Sequence, residues 1–474
     1  MSFDTEVCRR LPLAASTLHI LDYVVDPTFI ASLYDQHRGR SYEKIISFAD
    51  VIHLLADSLV LDGQSAHRTF QQAKDDGILQ VSVRSVYDKI GNTPLQLSAA
   101  LLTNGTVRLR ALLPDSLAEP VPISLAAFTP LAFDGKKIKQ VARRLGALRK
   151  VRGQVVGGKI LVAEDVRTGL AVAMEAHPDG EASDLTLVPG LLTRTRAVVG
   201  GPRLWIGDRL FCDLIHLALL GADGDHFVVR YNAKVGFHAD AGKPKKTGIN
   251  SRGQAYTEEW GWLGGPKDSR RLYVRRITVH RPGDEDILVV TDLIDGETYP
   301  AVDILDMYLR RWGIERLFQK ITEVFHLQAL VSSQENGTVF QAALCLLLYN
   351  ITIVVRAYVA EGAKKTPTDV SMEKLFVDMC RQLTSAVEVL GTEAVVVYYA
   401  NGNWTADRLR EYLKSVLGQT WRKWWTKTPP RKANKPTPTE YLAGGHSSVY
   451  KIRRGLHRTE PEAKKEEPQT PSNR

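Results

Sequence analysis

The chain has 474 residues, of which 44% are hydrophobic and 24% charged, and its formal net charge is +9. This is the balance of a globular protein of about two to four domains, and it excludes a fibrous or disordered chain. The four cysteines form no CxxC pair, which excludes a zinc ribbon and a readable disulfide framework. The mild excess of basic residues favours a polyanionic partner.

A membrane or secretory role is not expected. The first ten residues, MSFDTEVCRR, lack the basic-then-apolar order of a secretory signal. The most apolar stretch, residues 342–358, contains Asn350, Thr352 and Arg356, which favours a buried core helix over a membrane span. We therefore predict a cytoplasmic protein without a membrane partner.

The first 120 residues are predicted to be helical. Apolar residues recur at helical spacing in FADVIHLLADSLV (48–60), and DKIGNTPLQLSAALL (88–102) is typical of two helices joined by a turn at Gly91–Pro94. Residues 1–120 are thus expected to form a helical N-terminal domain. DNA binding is our prediction for it, and plain helical packing is the alternative that stays open.

Short β-like runs begin after residue 126. FTPLAFDG (128–135) is predicted as a strand ending at Asp134, and RLWIGD (203–208) as a strand ending at Asp208. Between them the pattern indicates a hairpin turning at Arg167–Thr168 and a helix over residues 184–194. The order is therefore strand, strand, strand, helix, strand.

The second half of the chain returns from strands to helices. Strand-like runs occupy residues 226–235, 270–281 and 286–294, so residues 213–300 are predicted to be a β-rich insertion. Helical patterns follow over 302–327 and again over 342–358. Residues 361–458 are predicted to be a helical, basic C-terminal domain, and residues 459–474 a disordered tail.

Two aspartates are candidates for a metal site. Strands that end in Asp place carboxylates side by side at one edge of a sheet, where ligands bind. Carboxylates that close need protons or a cation, and oxygen-only clusters suit Mg²⁺ or Mn²⁺. Asp134 and Asp208 both fit this description. The alternative for either residue alone is a helix or turn cap.

A third acid lies on a predicted helix. At about 100° per residue, one helix face carries five polar side chains: Tyr308, Arg311, Glu315, Gln319 and Thr322. Such a face can put the carboxylate on a metal while Arg and Tyr hold the adjoining phosphate. The alternative is a solvated face with an ion pair between Arg311 and Glu315.

Basic and aromatic residues near these acids suggest DNA contacts. Eight Lys or Arg and no acid lie between Lys136 and Arg152, which fits a phosphate backbone across the site or, alternatively, a solvated surface. Three tryptophans lie among basic residues near the C-terminus, at Trp421, Trp424 and Trp425. They fit either base stacking or a packed anchor.

Taken together, these motifs resemble a known family. Asp134 in Phe-Asp-Gly, GDRLF (207–211) and Tyr-x2-Arg-x3-Glu at 308, 311 and 315 are similar to the three signature blocks of the DDE transposases of bacterial insertion sequences. The resemblance is strongest to insertion-sequence family four, with its Tyr-Arg-Glu-Lys signature, and spans about residues 125–350. The signature Lys would fall at Thr322, and Lys320 is the nearest Lys.

The resemblance implies an α/β fold and a domain order. An RNase H-like core, residues 121–212 and 301–360, would be interrupted by the β-rich insertion, with helical N-terminal and C-terminal domains on either side.

The resemblance also implies a DNA transposase. Asp134, Asp208 and Glu315 would be the catalytic residues and would hold two Mg²⁺ or Mn²⁺ ions. The expected DNA contacts are Tyr308, Arg311, Arg209, Lys136, Lys137 and Lys320. The expected partners are double-stranded DNA, as terminal inverted repeats and target, and a second copy of the chain in a synaptic complex.

Cut-and-paste transposition through hairpin ends, in the bacterial cytoplasm at the nucleoid, is what the family implies. Two alternatives stay open: a catalytically silent DNA-binding regulator of transposase descent, and a non-transposing nuclease on the same core.

Overall fold

The computed structural model describes residues 6, 9–41, 43, 45–60, 65–114, 120–139, 155–325, 327, 331–391 and 403–428. Met1–Lys427 form one compact unit and Thr428–Arg474 a second, of which only Thr428 is described. Much of the basic run that follows Lys139, most of the basic C-terminal segment and the predicted tail 459–474 lie outside the described residues.

The N-terminal part is helical, as predicted. Asp26, Ser65 and Ser82 each cap a helix by accepting a hydrogen bond from the backbone of its first turn. The break between residues 91 and 95 separates two helices, as the Gly-Asn-Thr-Pro sequence predicts. The helices are α1 (Pro12–Val24), α2 (Pro27–His37), α3 (Phe48–Val60), α4 (Ala66–Asp75), α5 (Val83–Gly91) and α6 (Leu95–Arg110).

The strands of the described residues form one mixed sheet. Its ten strands are β1 (Thr129–Lys137), β2 (Lys159–Asp165), β3 (Ala171–His177), β4 (Arg203–Gly207), β5 (His226–Arg230), β6 (Phe237–Ala239), β7 (Lys246–Ile249), β8 (Ala255–Leu263), β9 (Leu272–Val279) and β10 (Ile287–Thr291). They lie in the order β3-β2-β1-β4-β5-β10-β9-β8-β6, and β7 also pairs with β8. Among the strands that the structure describes, the pairs β1–β4 and β4–β5 are parallel and the other pairs are antiparallel.

The predicted hairpin and helix before β4 are confirmed, and β1 is longer than predicted. β2 and β3 pair antiparallel across the turn that contains Arg167 and Thr168. Ser183 caps a 3-10 turn, Asp184–Leu187, which leads into α7 (Val188–Val198). β1 does not end at Asp134, because Gly135, Lys136 and Lys137 continue its pairing with β2.

The strands of residues 213–300 extend the central sheet. α8 (Leu214–Leu220) returns the chain, so that β5 lies parallel beside β4. β10 then pairs with β5 and carries β9 and β8 outward. The sheet therefore continues through the predicted boundary at residue 213.

The single helix predicted over 302–327 is two helices. α9 (Ala301–Leu309) and α10 (Trp312–Glu323) are separated at Arg310 and Arg311. Around this break the amides of Arg311, Gly313 and Ile314 bond the carbonyl three residues back, which is the tighter 3-10 pattern. Tyr308 and Glu315 therefore lie on two different helices. The prediction that one uniform helix carries both side chains on one face was wrong.

α11 (Glu335–Gly362) is the longest helix in the described part of the chain, and most of its residues are buried in the core. By length and composition it could cross a membrane, but its apolar window is entirely buried inside the molecule. Asn350, fully buried on this helix, bonds both the amide and the carbonyl of Ala171 on β3 at 2.9 Å. Its amide group also donates to Thr106 on α6, so one side chain joins two helices to the sheet.

The described C-terminal helices are α12 (Met372–Leu390) and α13 (Ala406–Leu417). The Asp378 carboxylate on α12 accepts hydrogen bonds from the indoles of Trp424 and Trp425 at 2.9 and 2.8 Å. Trp425 is fully buried, so it forms the packed anchor that was one of the two interpretations, whereas Trp424 is 43% exposed. Gln382 accepts from the amide of Leu13, which ties α12 to the start of α1.

Asn350→Leu is expected to lower the free energy of unfolding by about 1–3 kcal/mol, because the amide of Ala171 loses its acceptor in the core and the hydroxyl of Thr106 keeps only its bond to the Ala171 carbonyl. Denaturant unfolding followed by circular dichroism measures the change. Thr352→Val is the control, since this buried hydroxyl donates only within its own helix, to the Leu348 carbonyl. Equal losses in the two variants would contradict the role assigned to Asn350.

Candidate active site

Asp134 lies on β1, and Asp208 directly follows β4, the parallel neighbour of β1. Ala132 of β1 pairs with Ile206 of β4, and Asp134 and Asp208 each follow that pair by two residues. Because residues at one level of adjacent parallel strands have their Cα atoms about 5 Å apart, the two carboxylates share one end of the sheet. The two predicted acids thus lie near each other, although β1 continues past Asp134.

Glu315 reaches the aspartates through Arg311. The Arg311 Nη2 donates to Glu315 Oε1 at 2.8 Å, and its Nη1 lies 4.0 Å from Asp134 Oδ2. The Arg311 side chain is 6% exposed, whereas those of Asp134 and Glu315 are 27% and 35% exposed. A buried guanidinium therefore lies among acids that solvent can reach.

The surroundings of Asp134 disfavour the charged form of its carboxyl group. Burial raises the pKa of Asp134 to about 6, while the Gly135 amide and Arg311 lower it and Asp208 and Asp184 raise it further. The Asp208 Oδ1 is buried and has no hydrogen-bond partner among the residues that the structure describes. Both observations fit a place where a cation would bind.

The donor set suits a divalent ion by its chemistry. Asp134, Asp208 and Glu315 offer oxygen ligands alone, as Mg²⁺ and Mn²⁺ prefer. Within the described ranges, however, no three His, Cys, Asp or Glu side chains are grouped closely enough to hold a metal. The Glu315 carboxylate is paired instead with the Arg311 guanidinium.

Gly135 is required by a neighbour that the sequence motif does not reveal. A Cβ at this position would lie 2.3 Å from Asp184 Oδ1. Asp184 is itself paired with Lys159 Nζ at 2.6 Å, and the Lys159 side chain is only 7% exposed. No local signal could have found this pair, since its members come from β2 and from the turn before α7.

Tyr308 and Trp312 flank Arg311 in different ways. Tyr308 is 5% exposed and its ring centre lies 6.0 Å from the Arg311 guanidinium carbon, so it supports Arg311 from within the core. Trp312 is 57% exposed and lies 5.8 Å from the same carbon. Sequence reasoning missed Trp312, although on a regular helix it would fall about 40° from Tyr308 on the same face.

The predicted basic contacts have different surroundings. Lys137 is exposed, and Lys136 Nζ lies 5.4 Å from the Phe318 ring on α10. Arg209 directly follows Asp208 and pairs with Glu285 at 2.8 Å. Lys320 differs, because its Nζ lies 5.9 Å from the Tyr349 ring on α11, and burial and Arg356 lower its pKa to about 8.

Comparison with known proteins identifies the segment that carries these acids. Residues 131–351 match the family model of the transposase DDE domain. The match covers just under half of the chain, and it makes this segment similar to a transposase DDE domain. Asp134, Asp208 and Glu315 all lie within the matched span, and the match supports a DNA-cleaving and DNA-joining enzyme.

Two further comparisons add little to the transposase match. No curated protein is significantly similar to the chain. Among solved structures, a piggyBac transposase synaptic complex with hairpin DNA is similar at a TM-score of 0.39 and 10% identity, over 90% of this chain and 89% of that one. A similarity of that size supports no argument about this protein.

In the metal-free protein, Asp134→Asn is expected to stabilise the fold at about pH 8. The pKa of Asp134 is raised to about 6, so its contribution to stability is present below the unfolded pKa near 3.8 and is lost as pH rises through about 6. Asn mimics the protonated form, and its advantage should be on the order of 1–3 kcal/mol.

Denaturant unfolding in EDTA at about pH 8 and about pH 4 measures the difference between the two proteins, which should vanish at the lower pH. A variant that is less stable than the unaltered protein at the higher pH would contradict the electrostatic account.

Proposed function

We propose that the protein is a transposase of a bacterial insertion sequence, which binds terminal inverted repeats and carries out metal-dependent cleavage and strand transfer of DNA. The observation that carries this proposal is the level placement of Asp134 and Asp208 on β1 and β4, beside the Arg311–Glu315 pair, within the segment that matches the DDE domain. The core would be RNase H-like, since three antiparallel strands, a helix and a parallel strand follow one another in β1–β4.

Asp134, Asp208 and Glu315 would hold Mg²⁺ or Mn²⁺. A pair of such ions would supply activation of the attacking oxygen and stabilisation of the leaving oxygen in successive phosphoryl transfers. The protein's own part is to hold three carboxylates near one end of the sheet. The positive charge of Arg311 would offset the repulsion between them. Arg311, now paired with Glu315, is the guanidinium that would exchange this carboxylate for a DNA phosphate.

The remaining DNA contacts would surround the same end of the sheet. Lys136 and Lys137 follow Asp134 on β1, and Arg209 follows Asp208. Tyr308 would act by holding Arg311 in place, because it is nearly buried. The position of Lys320 beside Tyr349 does not favour a phosphate contact, so we propose the DNA role for the other residues only.

The resemblance to insertion-sequence family four supports the finer parts of the proposal. We propose that the protein acts as a homodimer in a synaptic complex and forms hairpin ends on the excised element. It would act at the bacterial nucleoid in the cytoplasm. The Tyr-x2-Arg-x3-Glu spacing supports them, and Thr322 in place of the signature Lys is a departure.

A second candidate function is a catalytically silent DNA-binding regulator. The observation in its favour is that Glu315 is engaged by Arg311 and that no three acids in the described part of the chain form a ready-made metal site. A nuclease on the same core would cut DNA but not join it.

The proposal is tested with a supercoiled plasmid that carries the DNA flanking the gene, incubated with Mg²⁺. We expect cleavage at the element ends and joining to target DNA. Asp134→Asn, Asp208→Asn and Glu315→Gln should each lower the cleavage rate at least about a hundredfold, because each removes a carboxylate that would hold the metal ions.

Glu323→Gln is the matched control, since this exposed acid lies on the same helix as Glu315, two turns further on. It should retain cleavage. Tight binding without nicking by the unaltered protein would replace the proposal with the silent regulator, and cutting without joining would replace it with a nuclease.

A further inference from the structure

Two arginines at the rim of the site share one carboxylate. Arg209 Nη2 lies 2.8 Å from Glu285 Oε1, and Arg230 Nη2 lies 3.4 Å from Glu285 Oε2. Gly207 pairs with Val229 across β4 and β5, so Arg230 lies level with Asp208. The pair of guanidinium groups is therefore next to the proposed catalytic acids.

The turn that carries Glu285 is built to hold it there. Arg281 donates to the Glu285 carbonyl through Nε, at 2.8 Å, and through Nη2. The Arg281 amide donates to Asp286 Oδ1 at 3.1 Å, and His280 Nδ1 lies 3.0 Å from the other oxygen of that carboxylate. The backbone on both sides of Glu285 is fixed, and its carboxylate extends toward Arg209 and Arg230.

A carboxylate in this position resembles a phosphodiester in what it offers to arginine. Both present two acceptor oxygens with one negative charge, and guanidinium groups bind both by charge-assisted hydrogen bonds. The Glu285 side chain is 68% exposed, and exposed ion pairs are weak. A DNA strand that makes several contacts at once can therefore displace it.

We propose that Arg209 and Arg230 form a subsite for a DNA backbone phosphate, and that the Glu285 carboxylate occupies this subsite when DNA is absent. The inference rests on the proposed function in taking DNA as the substrate. It adds Arg230 as a contact and gives Glu285 the role of an internal competitor.

The test compares Glu285→Gln with Asp284→Asn in binding a fluorescent duplex of random sequence about 30 base pairs long, roughly three helical turns. The two variants change the net charge equally and lie in the same turn. Asp284 is 70% exposed and pairs with Arg281 at 3.2 Å, whereas Arg209 and Arg230 pair with Glu285.

At about 50 mM salt, Glu285→Gln should bind about two- to tenfold more tightly than the unaltered protein, since up to two weak pairs no longer compete. Asp284→Asn should gain less than about twofold. When Arg209 and Arg230 are both changed to Gln, the further change Glu285→Gln should give no gain.

Equal gains from Glu285→Gln and Asp284→Asn would overturn the proposal, as would no gain, persistence of the gain without the two arginines, or no binding of DNA at all. The outcomes separate this inference from the proposed function. Tighter binding by Glu285→Gln in a protein that never cuts DNA would leave the subsite standing and remove the transposase, whereas cutting with no effect at Glu285 would do the reverse.

Discussion

The parallel pairing of β1 with β4 is the constraint on which the site depends. It sets Ala132 beside Ile206, and two aspartates that are 74 positions apart in the sequence then fall at one level of the sheet. A slip of one residue would turn one carboxylate to the other face of the sheet, because side chains alternate along a strand. Gly135 belongs to the same constraint, since Asp184 packs where its side chain would be.

Arg311 is the electrostatic counterpart of this arrangement. Its guanidinium pairs with Glu315 and faces Asp134, and it comes from the 3-10 turn that separates α9 from α10. Gly313, in the same turn, lets the chain approach Glu164 on β2, since a Cβ there would lie 2.9 Å from that carboxylate. The break in the helix thus places one arginine among three acids, whereas at the rim two arginines share the single carboxylate of Glu285.

Local patterns predicted the parts of the site that sequence spacing encodes. Apolar runs ending in Asp gave Asp134 and Asp208, and the Tyr-x2-Arg-x3-Glu spacing gave Arg311 and Glu315. Contacts between distant segments could not be predicted in this way, among them Lys159 with Asp184 and Glu285 with Arg230. The helix break at Arg311 was also missed, because helical periodicity assumes a uniform twist and the change to 3-10 bonding leaves the apolar pattern almost intact.

Binding of Mn²⁺ tests directly, without any DNA, whether Asp134, Asp208 and Glu315 share metal ions. Electron paramagnetic resonance measures the binding as a loss of the signal of the free ion. The unaltered protein should bind Mn²⁺, and the triple variant Asp134→Asn, Asp208→Asn, Glu315→Gln should not, while Glu323→Gln should bind as the unaltered protein does. If the triple variant bound Mn²⁺ with the same affinity and stoichiometry as the unaltered protein, the three acids would not form a metal site and the account would be contradicted.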